Sequence, residues 1–346
     1  MSDIVLSERK KNILLNAVGS FIDNALPITS EKVQTEVFNN LSSATLRNEL
    51  SALESMGYLK QLHTSGGRVP TTKAYNFYVN YLLANQDFDT KLIDEIKNKF
   101  VSRSNFILDV LDDLAKDVSD TIKYPIFLEL KGYGDLEILA INVIPLITGQ
   151  ALILVQTTAG IINKTVDLKE TITEENCKDS SKFLTQNLAG KKIDDVIAHY
   201  TEYMQLFESQ IKYYQDFFVN ITEILKNYVQ NKFIKHGSAM NLLEAPEYKD
   251  VNSAKKFIKF VENEAEIKKI IHEIDESSNS DLGFSIGDDN VDEYADYSIV
   301  KANYSLNNGL VASVGVVGPQ RSDYAKIASA LKFITDEISQ LQNPKE

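Results

Sequence analysis

The chain of 346 residues has a single cysteine, Cys177, and only four histidines, His63, His199, His236 and His272. One thiol excludes a disulfide framework and points to a reducing, cytoplasmic setting. The histidines are scattered without metal-ligand spacing, so no metal site is expected. Cys177 lies among Glu174, Glu175 and Asp179, whose charge raises a thiol pKa rather than activating it. Neither G-x-S-x-G nor a P-loop occurs, and Gly283-x-x-x-Gly287 lacks a following lysine. No catalytic role and no cofactor is therefore expected. No apolar run approaches the ~20 residues needed to span a bilayer. The opening residues lack the basic start and apolar core of a signal peptide. Positive charge is also short: the formal net charge is −13, which argues against a protein that coats nucleic acid non-specifically.

The charge is unevenly spread. Residues 1–85 hold eight Lys and Arg against seven Asp and Glu, a balance of +1, which leaves −14 on the remainder. This suits a DNA-binding head on an acidic body, and a head so weakly basic should act in two copies.

The most informative stretch is 41–71. Stepping about 100° per residue, as an α-helix does, puts Leu46, Leu50 and Leu53 in one narrow arc. Ala44, Asn48, Ser51 and Ser55 fall opposite, flanked by Thr45 and Arg47, and Ser42 or Ser43 can cap the start. A face of small polar residues lets a helix approach base edges. Arg can bond guanine, Asn adenine, and an Ala or Thr methyl can touch that of thymine. An ordinary solvated helix face fits the same residues. Upstream, Ser7 opens a helix carrying Ile13, Leu14, Ala17, Phe21 and Ile22 to about Ala25, where Pro27 breaks it. A short helix over 30–38 and a turn at Asn39-Asn40 follow. Downstream, 58–62 reads as a strand, Ser65-Gly66-Gly67 as a sharp turn, and Pro70 as an edge-strand residue. A fourth helix starts at Thr71 or Thr72. Three helices and a hairpin are the order of a winged helix-turn-helix. Its candidate DNA-contacting residues are Ser43, Ala44, Thr45, Arg47, Asn48, Ser51, His63 and Arg68. Arg68 fits a minor-groove or phosphate contact, or a surface salt bridge. His63 is a base contact or simply a surface residue.

Three separated motifs carry a family resemblance. They are Leu41-Ser42-Ser43-Ala44-Thr45-Leu46-Arg47-Asn48-Glu49-Leu50 with His63 to Thr71, then Asn241-Leu242-Leu243-Glu244-Ala245-Pro246-Glu247-Tyr248-Lys249-Asp250, and Gly315 to Tyr324. In this order they resemble the HrcA family of bacterial heat-inducible transcription repressors, across essentially the whole chain. Glu31, Gln320 and Ser322 depart from it, standing where arginine, threonine and methionine are common. The resemblance implies a repressor of the groE and dnaK chaperone operons. It implies a homodimer on the inverted repeat called CIRCE, helped into its DNA-binding form by the GroEL chaperonin. For the fold it implies a GAF-like domain holding a dimerising insert.

The body reads as α+β. Residues 88–123 are helical, 136–145, 151–157 and 161–168 form an antiparallel meander, and a helix runs over about 174–188. Strands over 297–304 and 310–317 flank Asn307-Asn308-Gly309, and a last helix covers about 322–341. The expected division is a winged-helix domain at 1–85, a GAF-like domain at 86–190 and 283–346, and a mostly helical inserted dimerisation domain at 191–282. Within that insert, Met204, Phe207, Ile211, Tyr214, Phe218, Ile221, Leu225 and Tyr228 follow 3-4 spacing for about three and a half heptads. Phe207, Ile211, Tyr214, Phe218, Ile221 and Leu225 are candidate dimer contacts, with intramolecular core as the equal alternative. Gly318-Pro319-Gln320-Arg321 precedes a helix and reads as a structural loop or an anion site. Two functional readings follow: a chaperone-gene repressor that acts on double-stranded DNA, and a metabolite-responsive regulator with an effector in the GAF-like body.

Overall fold

The computed structural model describes residues 6–36, 41–62, 67–85, 88–100, 107–146, 149–167, 173–208, 212–230, 232–277, 282–287, 294–306 and 309–342.

The head opens with α1 (Glu8–Asn24), whose first turn is capped by the Ser7 hydroxyl accepting from the Lys10 N–H. It ends at Ala25, which adopts a left-handed φ of 54°. α2 (Ser30–Glu36) and α3 (Ser43–Ser55) follow. Ser42 caps α3 by accepting from the Thr45 N–H. β1 (Leu59–Gln61) pairs antiparallel with β2 (Arg68–Pro70), and α4 (Thr72–Asn85) leads out. Leu46, Leu50 and Leu53 of α3 are fully buried against Ile13, Leu14, Ala17 and Val18 of α1. Burial of that apolar stripe holds the short helices in place, because helices of this length are marginal alone. The expected α2 extension to residue 38, the Asn39-Asn40 turn, the wing tip at 63–66 and His63 lie outside the described residues.

The body begins with α5 (Thr90–Lys99) and α6 (Ile107–Ile122). β3 (Ile126–Lys131) comes next. Then β4 (Ile138–Pro145), β5 (Gln150–Thr157) and β6 (Gly160–Asp167) form their own antiparallel sheet in that order. Four helices follow: α7 (Glu174–Leu188), α8 (Ile193–Ala198), α9 (Tyr200–Glu208) and α10 (Lys212–Tyr228). The chain returns through β7 (Lys232–His236), α11 (Val251–Glu262), α12 (Glu264–Ser277), β8 (Leu282–Ile286), β9 (Tyr297–Ser305), β10 (Val311–Pro319) and α13 (Tyr324–Gln342). The main sheet has the order β7-β3-β10-β9-β8, with every pairing antiparallel. The α+β class is as the sequence indicated.

β3 and β7 are neighbours in the main sheet, and the residues between them interrupt it, whereas the insert expected from the sequence was 191–282. The meander at 138–167 belongs to that interruption, while α11 and α12 lie on the side of the main sheet. β3 eluded the sequence because it lacks alternation: residues 126–130 are all buried, Glu129 among them. The carboxylate is tolerated there because His272, Lys131 and Lys268 surround it at 3.0, 3.1 and 3.6 Å.

The heptad seam is not one helix but two, α9 and α10, which fold back on each other: the Tyr200 and Phe218 rings stack at 5.5 Å, and Phe207 meets Phe218 at 4.7 Å. Phe207, Phe218, Ile221 and Leu225 are wholly enclosed by their own chain, which favours the intramolecular-core alternative. Ile211 and the Tyr214 side chain lie outside the described residues. The 3-4 spacing was real, but the partner of the stripe is the preceding helix.

Candidate nucleic-acid interface

α3 presents the face its spacing indicated. With the leucine arc turned inward, Ala44, Arg47 and Asn48 are exposed, and Thr45 and Ser51 are half-buried. The side chains of Arg47 and Asn48 make no hydrogen bond or ion pair with any other described residue. Their donor and acceptor groups are thus available for base edges. Thr45 Oγ1 lies 2.8 Å from the capping Ser42 Oγ. Ser43 is drawn away from the exposed face, its hydroxyl donating to Ser30 Oγ at 3.2 Å.

Arg68 is placed differently from the free wing-tip residue the sequence allowed. It sits in β2, and its backbone N–H and C=O exchange hydrogen bonds of 2.9 and 2.7 Å with Ile28. Its guanidinium donates to Glu54 Oε2 at 2.7 Å and to Ser51 Oγ at 2.9 Å. The salt-bridge reading therefore holds for this geometry, and two candidate DNA residues, Ser51 and Arg68, are bonded to each other. The pair ties the wing to α3, fixing the angle between the two elements that would enter and flank a groove.

Two further supports were not anticipated. Glu49 falls beside the leucine arc and is 5% exposed. It accepts from the Arg9 guanidinium and pairs with Lys10 Nζ at 3.1 Å, both from α1. Burial raises the Glu49 pKa, but the hydrogen bonds and charges of Lys10 and Arg9 outweigh it and hold the carboxyl below its ordinary range. A charged residue inside an apolar arc was the sequence signal, since such a group needs a partner. Lys73 Nζ donates to the Met56 carbonyl at 2.9 Å and lies 4.4 Å from the centre of the Tyr58 ring. That cation at the C-terminal end of α3 complements the negative end of the helix dipole. Elsewhere, Cys177 is 1% exposed, and burial followed by the charge of Glu174 pushes its thiol pKa up, so it is not an activated nucleophile.

Comparison with known proteins now decides the family. The model named HrcA protein C terminal domain matches residues 108–328, more than half of the chain. The chain belongs to the HrcA family. Heat-inducible transcription repressor HrcA of Acetivibrio thermocellus is 28% identical over 341 residues, covering 97% of this chain and 96% of that one. The HrcA of Thermoanaerobacter sp. (strain X514) is 29% identical, covering 97% of each. These HrcA relatives span the head as well as the body, and they are transcription repressors, not enzymes. A crystal structure of a hypothetical protein at 2.2 Å resolution shares the fold, with a TM-score of 0.70 and 20% identity over 97% of this chain and 98% of that one. No helix among the described residues is long and apolar enough to cross a membrane.

Proposed function

We propose that the chain represses heat-shock chaperone operons, binding a CIRCE-type inverted repeat as a homodimer. The observation that carries this reading is α3 itself: a leucine stripe buried on one side, with Ala44, Arg47 and Asn48 exposed on the other beside a two-stranded wing. In this reading α3 lies in the major groove, with Arg47 and Asn48 on base edges and Ala44 and Thr45 towards thymine methyls. Ser51 and Arg68 support the same surface, Arg68 chiefly by holding the wing to α3, while Ser43 and His63 are kept as candidate contacts on the sequence alone. A head with a charge of only +1 makes few phosphate contacts, so affinity needs two heads. A two-fold dimer supplies them in the symmetry of an inverted repeat. The domain reading is a winged-helix head at 1–85, a body around the main sheet, and an insert between β3 and β7. Modulation by the GroEL chaperonin rests on the resemblance of the three motifs.

The test is a gel-shift titration against a CIRCE-type repeat and a scrambled repeat, with and without chaperonin. Preference for the repeat, strengthened by chaperonin, supports the reading; equal binding of both duplexes under both conditions rules it out. The metabolite-responsive alternative draws support from a cavity of about 500 Å³ between head and body, lined in part by Lys60, Tyr75, Tyr248, Lys256, Asp296 and Arg321. An effector there would raise the melting temperature with the logarithm of its concentration once that exceeds its dissociation constant, which a thermal-shift screen reads directly.

A further inference from the structure

The last turn of α1 carries no basic residue, and its carbonyls point at the negative end of the helix dipole. The Phe21 carbonyl is satisfied by the Ala25 N–H. The Ile22 carbonyl is satisfied from 299 residues away, by the Arg321 guanidinium. Arg321 in turn donates to both carboxylate oxygens of Glu247, to Oε2 at 3.1 Å. Arg321 belongs to the loop after β10, Glu247 to the short helical turn Pro246–Tyr248, and Ile22 to the head. One partly buried cation therefore joins three distant segments, its side chain 13% exposed. A bidentate Arg–carboxylate pair also fixes the plane of the guanidinium, so its remaining edge points in one direction.

The loop that carries Arg321 is braced. The Gln320 N–H donates to the Asp296 carbonyl at 2.8 Å, the Ser322 hydroxyl to the Pro319 carbonyl at 2.7 Å, and the Asp323 N–H to the Tyr124 hydroxyl at 3.0 Å. A side chain at Gly318 would come within 2.8 Å of the Tyr124 ring, so the end of β10 that leads into the loop packs directly on that ring. From the same loop, Gln320 Nε2 donates to Thr72 Oγ1 at 2.9 Å, and at the start of α13 the Tyr324 ring lies 6.0 Å from that of Tyr75. Thr72 and Tyr75 are in α4, so this stiff loop holds the head at two places, the end of α1 and the start of α4.

We infer that Arg321, oriented by Glu247, is a positioning residue that sets the angle of the head on the body and so the direction in which α3 faces. In a dimer this angle governs how far apart, and with what twist, two copies of α3 stand. The inference rests on the DNA-binding reading of α3. A rigidly held pair of heads accepts one half-site spacing, whereas loosely tethered heads accept several.

The experiment compares the full-length chain with Arg321→Gln, Arg321→Lys and Glu247→Gln. Affinity is measured for the inverted repeat, for the repeat lengthened by about five base pairs (half a helical turn) and for a single half-site. The wild type should discriminate strongly against the lengthened repeat. Arg321→Gln should bind both repeats alike while keeping its half-site affinity within about twofold, and Arg321→Lys should recover part of the discrimination. A merely structural loss would lower all three affinities together. A second readout needs no DNA: amide hydrogen exchange at residues 22–25 should speed up in Arg321→Gln while that at 46–53 stays unchanged. Should the wild type fail to prefer the repeat, the DNA reading falls and this exchange measurement alone decides the positioning role. If Arg321→Gln does not fold, Glu247→Gln, which leaves the guanidinium but removes its anchor, is read in the same way. The inference is overturned if the folded variant keeps wild-type spacing discrimination, or if residues 22–25 keep wild-type protection.

Discussion

Replacing Asn48 or Arg47 by alanine separates base reading from folding cleanly, because neither side chain bonds any other described residue. Alanine is the better helix former, by a few tenths of a kcal/mol over asparagine and less over arginine. Stability should therefore stay within about 0.5 kcal/mol of wild type or rise slightly. DNA affinity should behave otherwise. A lost base contact costs about 1–3 kcal/mol, or about 5- to 150-fold per half-site. A dimer loses the contact twice at well-separated positions, so the cost should reach about 2–6 kcal/mol for the full repeat. The assay is a gel-shift or anisotropy titration at fixed salt against the repeat and random duplex, paired with urea denaturation of each variant. For Asn48→Ala, affinity for random DNA should hardly move, since an amide neutralises no phosphate. Equal weakening on both duplexes would remove Asn48 from base reading. A stability loss beyond about 1 kcal/mol would show that the side chain is structural.

Arg68→Ala should differ by losing both properties. Its bonds to Glu54 and Ser51 fasten the wing to α3, so about 1–3 kcal/mol of stability should go along with DNA affinity; wild-type urea stability would contradict that bracing role. Glu49→Gln should cost about 1–2 kcal/mol at neutral pH, the lower part of the range for charged hydrogen bonds because Arg9 is half exposed. The Glu49 pKa is lowered in the folded chain, so its contribution is present above the unfolded value of about 4.3 and is lost as pH falls through the folded value. Denaturation curves of wild type and Glu49→Gln should converge on the acid side, and a pH-independent gap would refute the ion-pair account. Phe218→Ala should cost about 3–5 kcal/mol by opening a cavity among Tyr200, Tyr203 and Phe207. A stable, folded monomer from this change would instead place Phe218 at a subunit interface.

Periodicity made the head legible because each of its helices buries one stripe against neighbours close in sequence. Leu46, Leu50 and Leu53 had to face inward, which left Ala44, Arg47 and Asn48 outside; Ser7 and Ser42 announced the helix starts through local hydrogen bonds. The meander at 138–167 was readable for the same reason, from alternation and turn glycines. What sequence-local rules do not hold is the choice of partner. The stripe from Phe207 to Leu225 looks alike whether it faces a second chain or its own preceding helix, and the packing of Phe207 on Phe218 favours the latter. β3 became a central strand only because β10 and β7 flank it and because His272, Lys131 and Lys268 surround Glu129. Arg68 had charge and position in the sequence, but its engagement with Glu54 and Ser51 depends on the wing folding over α3. Arg321 is the extreme case: its motif was visible, yet its two partners lie 74 and 299 residues away. The sequence by itself determined which faces are apolar and where helices begin, since those follow from neighbours within a turn or two. Only the tertiary structure decided which charges meet, because a buried charge must find its partner wherever the chain brings one within a few ångströms.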